Sequence, residues 1–262
     1  MHLGQSNFIG FWAKISPGCI SFPIASESGL KLGEQVASNI SNTGARIMQP
    51  TNPKLERLVR QWRKDGEPAQ EAFPWRISKA KWCQLADDFS VEIADFPELI
   101  DRKFLWNLSA NAAPVERVFL AVMIWGYGDI GYGPHRVRQM YESEGFSEKI
   151  RIVKNLCEVN ESLEAYKFLK GSRIRQLGPS FGSKVLTFFH TPSTAPPILD
   201  SIVATWINEN APDLFFENVV NAETWNLATY ERYINWMMDR ASELDAPACT
   251  LEQLIFSDGY YV

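Results

Sequence analysis

The sequence predicts a mainly α-helical protein, and three observations support this fold class. From residue 52 onward, apolar side chains recur three and four positions apart, which is the spacing of one helix face. Short turns that contain Gly or Pro separate these apolar segments. Segments of alternating polarity, which would predict strands, are scarce after residue 50. Residues 1–50 are rich in Gly, Ser and Asn, and we expect an irregular segment there with a strand or two.

Capping residues place the first helices. Asn52 followed by Pro53 predicts an N-cap and a first helical residue, and the apolar stripe that follows ends before Gly66. Ser78 is predicted to cap the next helix. A further short helix is expected over residues 96–105.

The most apolar helix is expected in the middle of the chain. Asn111 opens it, and its apolar residues continue to Trp125. A Gly-rich stretch over 126–133 then interrupts the helix, which restarts at Pro134. Further helices are predicted at 147–157, at 161–170 behind the cap Asn160, and at 201–210, 222–241 and 250–256.

The charge of the chain is distributed unevenly. The 262 residues carry a net charge of −5 at a pI of about 5.4, which by itself argues against nucleic-acid binding. Between Arg136 and Lys184, however, basic residues outnumber acidic ones, whereas the region after Asp200 is strongly acidic. Such a chain can present one positive face on an acidic protein, or it can carry both signs on ordinary helix surfaces.

Neither a membrane segment nor a metal site is indicated. The apolar run Val118–Trp125 is too short to cross a bilayer, and residues 1–11 lack the basic start and the apolar run of a secretory signal. We therefore expect a protein of the cytoplasm or nucleoid. The four cysteines are scattered without a C-x-x-C pair, which predicts free thiols rather than zinc or iron–sulfur ligands.

The segment from Ile174 to Phe189 is where the sequence points to chemistry. It predicts a short helix that ends at Leu177, a tight turn, and a second helix that begins near Gly182. Gly at both ends of the turn allows positive φ and lets a phosphate approach the free N–H groups of the new helix. The phosphate-binding loop of nucleotidases is excluded, because it needs adjacent Gly and Lys after a strand. The residues expected to contact DNA phosphate here are Gly178, Ser180, Gly182 and Ser183.

The residues LGPSFGSK at 177–184 resemble the hairpin of helix-hairpin-helix DNA glycosylases, specifically of the 8-oxoguanine DNA glycosylase branch. In that family the hairpin ends in Gly, a small residue and the catalytic Lys, and a Gly- and Pro-rich loop leads to a catalytic Asp at the start of the next helix. Lys184 and Asp200 hold these places here, on either side of the loop 190–197. The hairpin is a residue longer than the common Leu-Pro-Gly-x-Gly form, and the gap between Lys184 and Asp200 is somewhat short.

The resemblance covers residues 174–207 closely and 106–173 loosely. It implies a glycosylase domain over 106–262, with residues 1–105 as an N-terminal accessory region. The implied reaction is excision of a modified base, 8-oxoguanine by resemblance, from double-stranded DNA. The resemblance implies no metal and no cofactor, apart from a monovalent cation at the hairpin.

The chemistry of an amine beside a carboxylate agrees with this interpretation. Cleavage of an N-glycosidic bond leaves positive charge on the sugar, which a carboxylate such as Asp200 stabilises. An amine such as Lys184 can attack C1′ and form a Schiff base, which permits strand cleavage by β-elimination. The amine has to lose its proton first, and apolar neighbours favour its neutral form. The alternatives are a surface lysine on a helix and a plain N-cap aspartate.

The Gly-rich stretch is the candidate for the segment that enters the duplex. Base flipping leaves a gap in the stack, and the resemblance assigns the wedge to residues 125–136. The alternative is a Gly-rich turn with core aromatics. The predicted wedge residues are Tyr127, Tyr132, His135 and Arg136, the last of them facing the orphaned base or a phosphate. Trp206, Tyr260 and Tyr261 could stack on the extruded base or pack in the core.

Other functions stay open at this point. The excised base could be another lesion, or a hypermodified base of phage DNA, which would make the protein a defence enzyme. A helix-hairpin-helix element can also be a non-catalytic DNA clamp, which needs neither the Lys nor the Asp. A third possibility is a partner-binding scaffold, which the acidic tail suggests. The oligomeric state is not indicated.

Overall fold

The computed structural model describes residues 52–66, 73–211 and 222–260, which belong to one compact unit. These residues form eleven helices and two short strands. The helices are α1 (Pro53–Asp65), α2 (Lys79–Asp88), α3 (Arg102–Ala110), α4 (Val115–Tyr127), α5 (Gly133–Tyr141), α6 (Phe146–Glu158), α7 (Ser162–Ser172), α8 (Pro179–Phe189), α9 (Ser201–Asn210), α10 (Leu227–Leu244) and α11 (Ala248–Tyr260). The prediction of a mainly α-helical fold is confirmed. The predicted irregular segment 1–50 lies outside the described residues.

Two short strands, one before and one after α2 in the chain, form a small β-ribbon. Its strands, β1 (Phe73–Pro74) and β2 (Leu99–Ile100), pair antiparallel with Phe73 opposite Ile100. The sequence did not predict this ribbon, because two residues in each strand are too few to show an alternating pattern.

Helix α4 is the most completely buried helix of the first half of the described fold. Every residue from Val118 to Trp125 is buried, and α4 packs against α3, α6 and α8. A helix that is apolar on all sides has to lie in a core, as this run predicts. Helix α8 is buried in the same way from Gly182 to Phe189. Lys184 therefore lies on a core helix and not on a surface helix.

Asn52 caps α1 as predicted, since its Oδ1 accepts hydrogen bonds from two N–H groups of the first turn, each at 3.0 Å. Ser78 precedes α2, but its side chain makes no capping hydrogen bond. Helix α3 begins after Asp101 and not at residue 96. Asp101 Oδ1 accepts a hydrogen bond from the N–H of Phe104 at 2.6 Å, so this carboxylate is the cap that starts the helix.

Two other predicted N-caps are wrong. Asn111 follows the last residue of α3, and Pro114 immediately precedes α4. Asn160 adopts a left-handed φ of 62° in the turn before α7, and Glu161 stands at the N-cap position. Asn is common both at N-caps and in left-handed turns, so the residue type alone does not distinguish the two.

The turn between α7 and α8 differs most from the prediction. Helix α7 ends at Ser172 and not at Leu177, and α8 begins at Pro179 and not near Gly182. Proline fixes φ near the helical value and has no N–H to satisfy, so it starts a helix readily. The connection is therefore residues 173–178.

The predicted positive φ values of the glycines are also wrong. Gly178 has a φ of −87°, and Gly182 lies inside α8. The left-handed residues of this connection are Arg173, with φ 53°, and Gln176, with φ 63°. The chain thus reverses through two non-glycine residues in the left-handed conformation and not through the glycines that suggested the turn.

The predicted domain boundary at 105/106 falls inside α3. This helix packs against α4 and α8, and α1 packs against α11. Within the described residues, the segments before and after this position therefore belong to the same compact unit.

Cysteine and membrane predictions can be compared with the described residues alone. Cys83, Cys157 and Cys249 are free thiols there, as expected, and Cys19 lies outside. No described helix combines the length and the apolar character that a membrane crossing requires. No cluster of three or more potential metal ligands occurs in the same part of the chain.

Candidate active site

A cavity of about 560 Å³ lies where the end of α4, the first turns of α8 and α9, and α11 meet. This volume is typical of small-molecule sites. Its aromatic wall consists of Phe73, Trp125, Tyr127, Phe181, Phe256 and Tyr260. Two cations and three carboxylates also line it, namely Arg102, Lys184, Asp129, Asp200 and Glu252. The cavity therefore combines flat apolar surfaces with a compact cluster of charges.

Lys184 and Asp200 form an ion pair in this cavity. Nζ of Lys184 lies 2.9 Å from Oδ2 of Asp200, and both side chains are buried. The other carboxylate oxygen, Oδ1, accepts hydrogen bonds from the N–H groups of Ile202 and Val203 at 3.1 Å. Asp200 thus caps α9 and contacts Lys184 at the same time. The alternative of a surface lysine at position 184 is wrong.

The charge state of Asp200 follows from its surroundings. Burial raises the pKa of its carboxyl, but the charge and hydrogen bond of Lys184, the hydrogen bond from Val203 and the charge of Arg102 together lower it further. The net pKa lies below the ordinary value of an aspartate. The side chain is therefore a carboxylate at neutral pH.

Two hydroxyl groups of α8 hold the loop that carries Asp200. Oγ of Ser183 accepts a hydrogen bond from the N–H of Leu199 at 3.1 Å, and Oγ1 of Thr187 donates one to the carbonyl of Pro196 at 2.7 Å. Both hydroxyls are buried. Ser183 therefore fixes the loop against the helix, which corrects its assignment to the DNA-contacting surface.

Gly182 has a packing role that the sequence did not indicate. A Cβ at this position would lie 2.3 Å from Cη2 of Trp225, so only glycine lets this ring approach the helix. Gly182 is buried, so a phosphate cannot reach its backbone, and the predicted phosphate contact at this residue is wrong. Gly178 and Ser180 are only partly buried at the start of α8, and phosphate contact there stays a prediction.

Gly126 makes room for the wall of the cavity. A Cβ there would lie 2.7 Å from Cε1 of Phe181 and 3.4 Å from Cδ of Lys184. The Phe181 ring stacks on Tyr127 with 4.2 Å between centroids and 21° between planes, and Nζ of Lys184 lies 5.7 Å from the Phe181 centroid. Tyr127 is buried and forms part of the wall, which corrects its prediction as an exposed wedge.

Arg102 and Glu252 form a second ion pair that sequence reasoning missed. Nη1 and Nη2 of Arg102 donate to Oε2 and Oε1 of Glu252 at 2.6 and 3.0 Å. Burial raises the pKa of the Glu252 carboxyl above its ordinary value, although Arg102 opposes this. The two residues are 150 positions apart in the chain, so no local motif joins them, but the sequence does contain one sign of a buried ion pair. Glu252 interrupts the apolar run of α11, where a charge needs a partner.

The other predicted DNA contacts lie on the surface next to the cavity. Tyr132, His135 and Arg136 are exposed, and they follow the cavity-lining residues Asp129 and Ile130. The guanidinium carbon of Arg136 lies 4.6 Å from the centroid of the Tyr132 ring. The structure thus leaves these three residues accessible, and their contact with DNA stays a prediction.

Of the aromatic residues considered for base stacking, only Tyr260 lines the cavity among those described. Its ring stacks on Phe256 with centroids 5.7 Å apart. Trp206 is buried, and its Nε1 donates to Oδ2 of Asp258 at 2.7 Å, which confirms its core role. Tyr261 lies outside the described residues.

Comparison with known proteins places the chain in a family. The sequence model of one family, described as putative 8-oxoguanine DNA glycosylase OGG-like protein, matches residues 57–256, which is more than half of the chain. The matched range contains all five charged residues of the cavity and begins well before residue 106, where the resemblance in the sequence starts. No curated protein and no solved structure matches the chain. The buried Lys184–Asp200 pair thus lies in a chain that belongs to the OGG-like family of putative 8-oxoguanine DNA glycosylases.

Proposed function

We propose that this protein excises a modified base, 8-oxoguanine or a close analogue, from double-stranded DNA, with Lys184 as the nucleophile and Asp200 as the carboxylate beside it. The observation that carries the proposal is the 2.9 Å contact between Lys184 Nζ and Asp200 Oδ2 in a cavity with aromatic walls. A non-catalytic DNA clamp would need neither side chain. It would also have no reason to bury a lysine beside a cavity.

The aromatic wall suits a flipped base. Phe181 presents one face of a stacked pair of rings whose other member is Tyr127. A base that enters the cavity can stack on such a surface, and its sugar then follows toward the charged residues. This arrangement would bring C1′ close to Lys184 and Asp200.

The charge states of the two residues suggest separate roles. The lowered pKa of Asp200 makes this carboxylate a poor proton acceptor and a good stabiliser of a sugar cation. Lys184 first releases one ammonium proton to water, and its lone pair then attacks C1′ while the C1′–N bond breaks and the electrons of that bond pass to the base. The departing base then takes a proton that the amine gives up. Collapse of the adduct to a Schiff base would permit β-elimination, which is the proposed lyase step.

A monovalent cation at the hairpin is part of the proposal. The donors available for it are the backbone carbonyls of residues 173–178, whose oxygen atoms suit a hard cation. The Gly178 carbonyl already accepts from the N–H of Gly182 at 2.8 Å, and each carbonyl has a second lone pair. The cation would neutralise a DNA phosphate and hold the turn, with no part in the bond cleavage.

The deciding experiment is a panel of duplex oligonucleotides that carry single modified bases. The panel includes 8-oxoguanine and hypermodified phage pyrimidines, and products are scored for abasic sites and for strand cleavage. Borohydride should trap a covalent adduct with the native protein, and Lys184→Gln should abolish both the adduct and the cleavage. Lys170→Gln, an exposed lysine on α7, is the matched control and should retain both. Native base release by Lys184→Gln would replace the amine with a water nucleophile beside Asp200.

A further inference from the structure

Two exposed aliphatic side chains lie beside the cavity on separate loops. Ile77 precedes α2 and is 83 % exposed, the highest value of any large apolar residue in the described chain. Ile130 lies between α4 and α5 and is also exposed. Leaving such side chains in water forgoes the free energy of burying them, so a partner that covers them would gain it.

Asp129 joins the two loops. Its Oδ1 accepts a hydrogen bond from the N–H of Ile77 at 2.9 Å, and its carbonyl oxygen lies 3.4 Å from Oγ of Ser78. Ile130 is the next residue, and its own N–H donates to the carbonyl of Tyr127 at 3.0 Å. The two isoleucines therefore belong to one structure, which we call the two-loop ridge (Ile77, Asp129 and Ile130).

The backbone before Ile77 is anchored on its other side as well. Trp75 is buried, and its Nε1 donates to the carbonyl of Pro97 at 2.8 Å. Arg76 forms an ion pair with Glu98. An exposed apolar side chain on a fixed backbone is already placed for contact, so little ordering is needed when it binds.

The ridge borders the cavity that contains Lys184 and Asp200. Asp129 and Ile130 line that cavity, together with Phe73 and Pro74, which precede Ile77 in the chain. A base that leaves the duplex for this cavity would open a gap next to the ridge. Apolar wedges of this size, Ile among them, are the side chains that proteins insert between bases.

Charge selects DNA as the occupant. Lys79 and Lys81 follow Ile77 at the start of α2, and Arg136 follows Ile130 in α5; all three are exposed. Such cations beside an apolar ridge suit a phosphate backbone that flanks stacked bases. Tyr132 is exposed as well, and its ring packs against Arg136 and Tyr127.

We propose that the two-loop ridge enters the base stack of duplex DNA at the gap left by the flipped nucleotide, with Ile77 as its principal side chain. This inference rests on the proposed glycosylase function. It adds a DNA contact from the segment before α2, which the sequence had placed in the accessory region.

The test compares Ile77→Asp with Val159→Asp, an exposed valine at the end of α6 that is 65 % exposed. Single-turnover excision is measured on a duplex and on a single strand that carry the same modified base. Ile77→Asp should slow excision from the duplex by about tenfold or more and change that from the single strand by less than about twofold, because only the duplex has to be unstacked. Val159→Asp should match the native protein on both substrates.

A binding measurement makes the test independent of catalysis. A 2-aminopurine placed next to the modified base becomes brighter when the stack opens, and the inactive Lys184→Gln protein should still produce this signal. Adding Ile77→Asp should remove it, while thermal unfolding stays unchanged because position 77 lies on the surface. Native duplex excision and an intact signal with Ile77→Asp would overturn this inference and assign the ridge to another partner. A native protein that releases no base from any oligonucleotide would instead overturn the proposed function, and the 2-aminopurine signal would still decide the role of Ile77.

Discussion

The two ion pairs of the cavity are built differently. Arg102 meets Glu252 through two hydrogen bonds, and 3 % and 0 % of their side chains are exposed. Lys184 meets Asp200 through one 2.9 Å contact, and 9 % and 10 % of their side chains are exposed. The first pair is a two-point contact that is almost fully buried. In the second pair, Lys184 contacts only one oxygen of Asp200, and the other oxygen accepts hydrogen bonds from the first turn of α9. The amine can therefore turn toward a substrate while Asp200 stays in place.

This difference separates a fixed charge from a changeable one. Arginine stays protonated and holds a carboxylate in a planar fork, whereas lysine can lose its proton and act as a nucleophile. Together the four groups carry no net charge when all are ionised. The Arg102–Glu252 pair can therefore keep the surroundings constant while the charge on Lys184 changes.

Breaking the Arg102–Glu252 pair should have the largest effect on stability. Arg102→Met leaves Glu252 buried without its fork, and such a loss costs about 3 to 5 kcal/mol of unfolding free energy. Urea unfolding measures it. The double variant Arg102→Met/Glu252→Leu removes both charges and should recover most of the loss. If the double variant were as unstable as the single one, the loss would not come from the unpaired charge of Glu252, and the prediction would be wrong.

Changing the second pair should affect mainly the rate. Asp200→Asn keeps the side-chain shape and can still cap α9, but it removes the charge opposite the sugar cation. Excision should slow by about 10²- to 10³-fold, and some unfolding free energy should also be lost, because Lys184 no longer has a carboxylate partner. Asp101→Asn, the same substitution at the N-cap of α3, is the control and should leave the rate unchanged. Equal rates for both variants would remove Asp200 from the reaction.

The packing of the helix that carries Lys184 should give a smaller effect. Gly182→Ala places a methyl group against Trp225 and should destabilise the protein by about 1 to 3 kcal/mol. Gly171→Ala is the matched control, because a Cβ at this position on α7 would have no neighbouring atom within 4 Å. It should be neutral or stabilising by up to about 1 kcal/mol. A neutral Gly182→Ala would show that Trp225 moves away freely.

The pH dependence of the unfolding free energy should distinguish Asp200 from Glu252. The folded pKa of Asp200 is lowered, so its contribution to stability is present above its unfolded pKa and is lost as the pH falls through the folded pKa. The folded pKa of Glu252 is raised, so its contribution has the opposite sign. Unfolding free energies between about pH 6 and about pH 3 should fall less steeply for Asp200→Asn than for the native protein, and more steeply for Glu252→Gln. Shifts in the same direction for both variants would contradict this assignment.

The sequence predicted those parts of the site that depend on local pattern. The helical class, the cap at Asn52 and the start of α9 after Asp200 follow from periodicity and residue type. The proximity of Lys184 and Asp200 followed from the resemblance, and the structure brings them into contact. Their catalytic roles stay predictions.

The rest of the site depends on contacts between distant segments. Arg102 and Glu252 carry no motif, and only the assembled fold brings them together. The burial of Tyr127 depends on Phe181, which reaches it across Gly126. The role of Gly182 depends on Trp225, more than forty residues later in the chain. In each case the partner could not be read from the neighbouring sequence.

The two hydroxyl contacts between α8 and its following loop have a consequence for how this site can vary. Ser183 and Thr187 fix the chain at Leu199 and Pro196, just before Asp200. The exposed residues 191–194 therefore set the length of the connection and not the position of the carboxylate. Insertions or deletions there change a loop-closure entropy that depends only weakly on length. A short gap between Lys184 and Asp200 is thus compatible with an unchanged reaction geometry, and loop length is free to drift while the site stays the same.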